Sequence, residues 1–156
     1  MDLTAKGSIL IKVSTVIDPE KINNKYPRPS HSQEYPTGVD PNDISMSCAG
    51  SRGEVIGQGS PDLKFDAYPN DMVSFSAETT PNSSGYTVSI YNIRNNYSRN
   101  RILSVTGTKE NAIELRVESN GTANLLLLFA LHTNDDSGKI KDLIGYFYFD
   151  SNITIR

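Results

Sequence analysis

Histidine, cysteine and clustered carboxylates are the usual carriers of chemistry, and this chain holds few of them: His31, His132 and the single Cys48. His31 falls in a proline-rich stretch and His132 ends the apolar run Leu125 to Leu131, so a nucleophile and base would have to meet through the fold, with one of many serines as partner. Two histidines and one cysteine also fall short of the four-ligand set of a structural zinc site. Asp40-Pro41-Asn42-Asp43 and Asn134-Asp135-Asp136 offer hard oxygens of the kind calcium takes, but no complete calcium loop surrounds them and turns favour the same residues. Calcium is the only cofactor the sequence leaves open. Tyr86, Tyr91 and Tyr97, beside Asn92, Asn95, Asn96 and Arg99, have the chemistry of a sugar surface, since aromatic rings stack on apolar sugar faces and amides read hydroxyls. Tyr26 and Tyr35, in the proline-rich stretch, join Tyr91, Asn92, Asn96, Tyr97 and Arg99 as the candidate ligand or assembly surface. Gly57-Gln58-Gly59 is not a phosphate loop, because no Lys-Ser/Thr follows it; it reads as a bulge or a close backbone approach.

The elements that must position these residues are strands. Ser8 to Ile17 alternates, with Ile9, Ile11 and Val13 on one face. From Asp18 to Pro41 the pattern stops, and five of the eight prolines fall there, which predicts a long loop: a functional lid, an arm laid on a neighbouring subunit, or a mobile segment. Ile44 to Cys48 and Glu54 to Gly57 are short strands. Leu63, Phe65 and Ala67, then Val73, Phe75 and Ala77 beyond Tyr68-Pro69-Asn70-Asp71, predict a hairpin with one apolar face. In Tyr86 to Ile93, Val88 and Ile90 share a face while Tyr91 and Ile93 fall opposite, which requires a bulge or two covered faces. Ile102 to Val105 and Ile113 to Val117 follow. The run Leu125 to Leu131 has no polar alternation and is short for a helix, so it reads as a central strand covered on both faces. Leu143 to Phe149 pairs with it, and Asn152 to Ile155 closes the chain with one more strand. No segment shows helical periodicity. Residues 1–156 therefore predict one all-β domain, an antiparallel sandwich of immunoglobulin-like or jelly-roll type, with a long proline-rich loop after its first strand.

Composition narrows the partners. With 15 Lys plus Arg against 18 Asp plus Glu, no global field gathers phosphate backbones, so nucleic acid is not expected. The longest apolar run is far short of the ~20 residues of a membrane-spanning helix, and the N-terminus lacks a small-residue cleavage site. One cysteine excludes an internal disulfide framework and fits a reducing compartment. A cytoplasmic protein without a signal peptide is the expectation.

The segments YPRPS (Tyr26 to Ser30), YPTGVDPNDISM (Tyr35 to Met46), VIGQGSPDLKFDAYPNDMVSF (Val55 to Phe75) and LIGYFYFDSNIT (Leu143 to Thr154) resemble, in order and spacing, the bacterial inclusion-body protein family, also called PixA or AidA. The resemblance implies small Gram-negative bacterial proteins, some of which accumulate as cytoplasmic inclusions, and it carries no catalytic residues. The resulting expectation is a non-enzymatic, self-associating protein that forms homo-oligomers or inclusions. The alternative is a lectin-like module acting on host or bacterial glycans through the loops at Tyr26 to Pro41 and Asn92 to Arg101.

Overall fold

In a computed structural model of the chain, residues 7–95, 101–109 and 111–156 are described. Ten strands, β1 (Leu10–Ile17), β2 (Thr37–Gly38), β3 (Ser45–Ala49), β4 (Asp62–Phe65), β5 (Met72–Thr79), β6 (Tyr86–Asn95), β7 (Leu103–Lys109), β8 (Ala112–Val117), β9 (Gly121–Asn134) and β10 (Ile140–Ile155), make two sheets. The first has the order β3-β1-β5-β8-β7; the second has the order β2-β10-β9-β6, with β4 also pairing β10. All-β architecture was legible from alternation alone. Strict antiparallel pairing was not, because β1 runs parallel to β5 and both β2 and β4 run parallel to β10.

The stretch that reads as a hairpin shows why. β4 lies in the second sheet on β10, whereas β5 lies in the first sheet between β1 and β8. Period-two alternation tells which face of a strand is buried and is silent on its partner. Here Leu63 and Phe65 enter the core from one sheet and Val73 and Phe75 from the other, so Tyr68 to Asp71 is an arch across the sandwich. Asn70 takes a positive φ of 77° in that arch, a conformation asparagine tolerates better than most residues.

Between the sheets Phe65, Phe75, Phe129, Phe147 and Phe149 are fully buried. Phe129 stacks on Phe147 with centroids 5.4 Å apart. Each such side chain contributes about 1.5–3 kcal/mol on leaving water. β9 has neighbours on both sides, and Leu128 and Ala130, on the face away from the sandwich core, are buried as well. Of the two alternatives for β6, a bulge or two covered faces, the bulge is present, as a register shift between Ile90 and Asn92. The two terminal strands inferred from Leu143 to Phe149 and Asn152 to Ile155 are one, since the pairing of β10 with β9 runs through Asp150 and Ser151.

The stretch from Asp18 to Pro41 is more structured than a loop. A helix, α1 (Pro19–Lys25), starts at Asp18, whose carboxylate accepts the Lys21 N–H, with Pro19 in the first turn and Ile22 buried. Capping residue and proline are standard start signals, but seven residues are too few to display a helical period. A 3-10 helix covers Pro41–Asp43. What lies between them returns to the body of its own chain rather than reaching away from it.

Candidate functional site

The run Tyr146-Phe147-Tyr148-Phe149 in β10 points its phenylalanines into the sandwich and leaves its tyrosines half-buried on the outer face. Together with Leu126, Leu128 and Ala130 of β9 they make an apolar outer surface, and residues 28–38 are folded over it. The Tyr146 N–H donates to the Ser30 carbonyl at 2.8 Å, and the Val39 N–H donates to the Tyr148 carbonyl at 2.8 Å. The Tyr91 hydroxyl donates to the Gln33 carbonyl at 3.0 Å, and its ring meets Tyr146 edge-on at 5.3 Å. Burial pushes the Tyr91 hydroxyl above its ordinary pKa, which keeps it a donor. Gly145 is required beneath this cover, because a Cβ there would sit 2.6 Å from the Pro29 side chain.

One part of the outer face stays open. A groove of about 310 Å³ runs between Tyr35-Pro36 and the sheet, floored by Leu126 and Leu128, with Tyr148, Glu34 and Arg94 at its margins. Tyr35 is 73% exposed.

The residues proposed from sequence are dispersed relative to it. Tyr35 lines the groove and Tyr91 secures its cover. Asn92 is exposed and its Oδ1 accepts the neighbouring Ile93 N–H. Tyr26 serves the core instead, with its ring edge-on to Phe147 and its hydroxyl accepting the Asp40 N–H. Asn96, Tyr97 and Arg99 lie outside the described residues. Arg94 and Tyr148 escaped the reading, although the Tyr-Phe-Tyr-Phe alternation was its available signal.

The carboxylates considered for calcium are engaged in local structure. Asp40 accepts the Asn42 N–H. Asp43 pairs with Lys25 at 2.6 Å and with Lys21 at 3.1 Å, contacts that hold its carboxyl below the ordinary range. Asp135 takes the Ser137 hydroxyl and N–H and the Lys139 N–H on one oxygen. Cys48 is buried, and burial pushes its thiol up to about 11, so it is protonated and a poor nucleophile at neutral pH.

The most pronounced asymmetry lies in the sheet edges. On one side the outward groups of β3 are taken up. The Gln58 side-chain amide accepts from the Cys48 N–H at 2.9 Å and donates to the Cys48 carbonyl at 2.8 Å. The Gly59 N–H donates to the Met46 carbonyl and the Met46 N–H to the Ser60 carbonyl. This loop needs its glycines: Gly57 has φ 92° and a Cβ there would lie 2.1 Å from the Asp62 carbonyl oxygen. On the same side β2 and β4 cover successive parts of β10.

An ion pair anchors that side. Asp71 is fully buried; it receives the Arg52 guanidinium through Nε at 2.7 Å and Nη2 at 2.8 Å, and the N–H groups of Ile9 and Tyr68. Burial alone would raise its pKa, and these four donors outweigh it, leaving the carboxyl below its ordinary value.

On the other side β6 and β7 end the two sheets, and among the described residues no strand pairs their outer edges. Between them opens a cleft of about 350 Å³ lined by Ile93, Leu103, Leu115 and Leu125, with Asn95, Arg101, Ser104 and Val105 around it. Val105 is 52% exposed.

Comparison with known proteins places this arrangement. The family model for PixA, inclusion body protein, matches residues 9–109. The crystal structure of an inclusion body protein (PixA) from Burkholderia cenocepacia is similar at 26% identity and a TM-score of 0.82, covering 100% of both chains. A cysteine protease inhibitor from Entamoeba histolytica aligns at 20% identity over 61% of this chain and 84% of its own, with a TM-score of 0.28 that carries no argument. No curated protein matches.

Proposed function

The chain belongs to the PixA inclusion body protein family, and from that premise we propose that it is a non-catalytic protein that associates with copies of itself, forming homo-oligomers or cytoplasmic inclusions. The observation that supports this reading best is the one-sided closure of the sandwich, with β3 and β10 covered and, among the described residues, no strand on the outer edges of β6 and β7. Unpaired edge groups invite pairing with another chain, and a formal net charge of −3 opposes close packing only weakly. Light scattering of the purified protein over a wide concentration range tests the proposal. Mass rising with concentration is expected; a monomer at every concentration would overturn it.

The groove beside Tyr35 favours a second reading, a glycan site on the outer face of the second sheet. Stacking on Tyr35 and Tyr148 with hydroxyls on Arg94 and Glu34 is its chemistry. A glycan array should then give a saturable signal that Tyr35→Ala removes, and an empty array would end this reading.

A further inference from the structure

We infer that the self-association surface is the outer edge of β7, which pairs antiparallel with β7 of a second copy around a two-fold axis. This rests on the self-association reading above and assigns it a place. The backbone orientation of β7 follows from its bonds. The Ile102 carbonyl accepts from the Glu118 N–H, toward β8, whereas the Leu103 carbonyl is turned the other way and accepts from Asn95 Nδ2 at 3.1 Å. The register continues through Val105, paired with Leu115, before a shift at Thr106, so the N–H and carbonyl of Val105 also face outward. Ser104 and Val105 lie in or beside an exposed strand whose residues from Val105 to Lys109 are all solvent-accessible. The aliphatic side chain of Val105 opens this exposed run just before the register shift, and no proline interrupts the strand, whose one charge, Lys109, lies at its far end.

The other edges are poorer templates. Those of β3 and β10 already have partners. β6 shifts register as β7 does, but its Ile93 N–H is satisfied by the Asn92 side chain and the Ile93 side chain itself is buried, so it offers no exposed aliphatic group comparable to Val105. Identical edges meeting around a two-fold must run antiparallel. In that sense the Lys109 of each copy lies at opposite ends of the joint, whereas a parallel in-register pairing would bring the two lysines together. Val105 of each copy would extend the apolar lining of the cleft between β6 and β7 across the joint.

The experiment is light scattering of the full chain and of Val105→Lys and Val105→Pro, with Gln33→Ala as a control elsewhere on the surface; circular dichroism checks folding. Proline is tolerated where a strand N–H faces outward, and lysine decides the matter if the proline variant does not fold. Association of the wild type, with the midpoint concentration raised about tenfold or more by Val105→Lys and unchanged by Gln33→Ala, is expected. Wild-type association that both folded Val105 variants retain would overturn the β7 assignment and leave self-association standing. A wild type that stays monomeric would overturn both.

Discussion

The two sides of the sandwich solve the same problem in opposite ways. At the side of β3 and β10, a loop with two positive-φ glycines, a glutamine side chain and two short parallel strands occupy the backbone groups that a sheet edge leaves over. At the side of β6 and β7 the described residues provide a register shift in each strand, two asparagine side chains and no strand. The difference teaches that exposure of an edge here is selective. The chain carries a specific device for blocking β3, whereas among the described residues β7 has only the Asn95 side chain on its Leu103 carbonyl.

The largest test of the closed side is Asp71→Asn. It leaves the Arg52 guanidinium, about four-fifths buried, against an uncharged partner. Removing one member of such a pair costs about 3 kcal/mol, to be read as a shift in the urea midpoint. The same residue sets an acid limb. The folded carboxyl titrates below the ordinary 3.8, so its contribution is fully present above about pH 4 and is lost as pH falls through the folded value. Asp71→Asn should flatten that limb, and an unchanged limb would remove Asp71 from the account.

Gly57→Ala comes next. It combines a left-handed backbone with a Cβ 2.1 Å from a backbone oxygen, and about 2–3 kcal/mol of destabilisation is expected. A neutral result in the same urea titration would mean that the loop is free to shift. Gln58→Ala is milder, about 1–2 kcal/mol for two lost hydrogen bonds, yet it sharpens the comparison most. It opens the edge of β3, so a new concentration-dependent association that Val105→Lys leaves intact is expected on gel filtration. Unaltered elution would show that the glutamine is not what keeps β3 unpaired.

Much of the architecture was legible before any coordinates. The run Leu125 to Leu131 declared a strand covered twice, and the face change between Ile90 and Tyr91 called for a bulge or two covered faces, of which the structure shows the bulge. Gly57-Gln58-Gly59 marked a bulge or a close backbone approach, and at Gly57 it is the close approach, since only glycine fits where backbones meet. Pairing was illegible. Leu63 to Phe75 alternates identically whether its two halves pair with each other or arch between sheets. The cover over Tyr146 and Tyr148 was illegible too, since its proline-rich segment binds through backbone carbonyls of Ser30 and Gln33 that carry no side-chain signature. For the candidate site, aromatic residues were chosen by type. Tyr35 and Tyr91 reached one face, while Tyr26 was drawn to Phe147 because a half-apolar ring beside the core gains more by burial.

The most direct measurement is amide hydrogen exchange of the protein in its associated form against the same protein at high dilution. Protection gained at Val105 and Thr108, with Met46 and Cys48 equally protected in both, is the expected result. Protection gained elsewhere, with β7 exchanging alike in both samples, would contradict assembly through the open side.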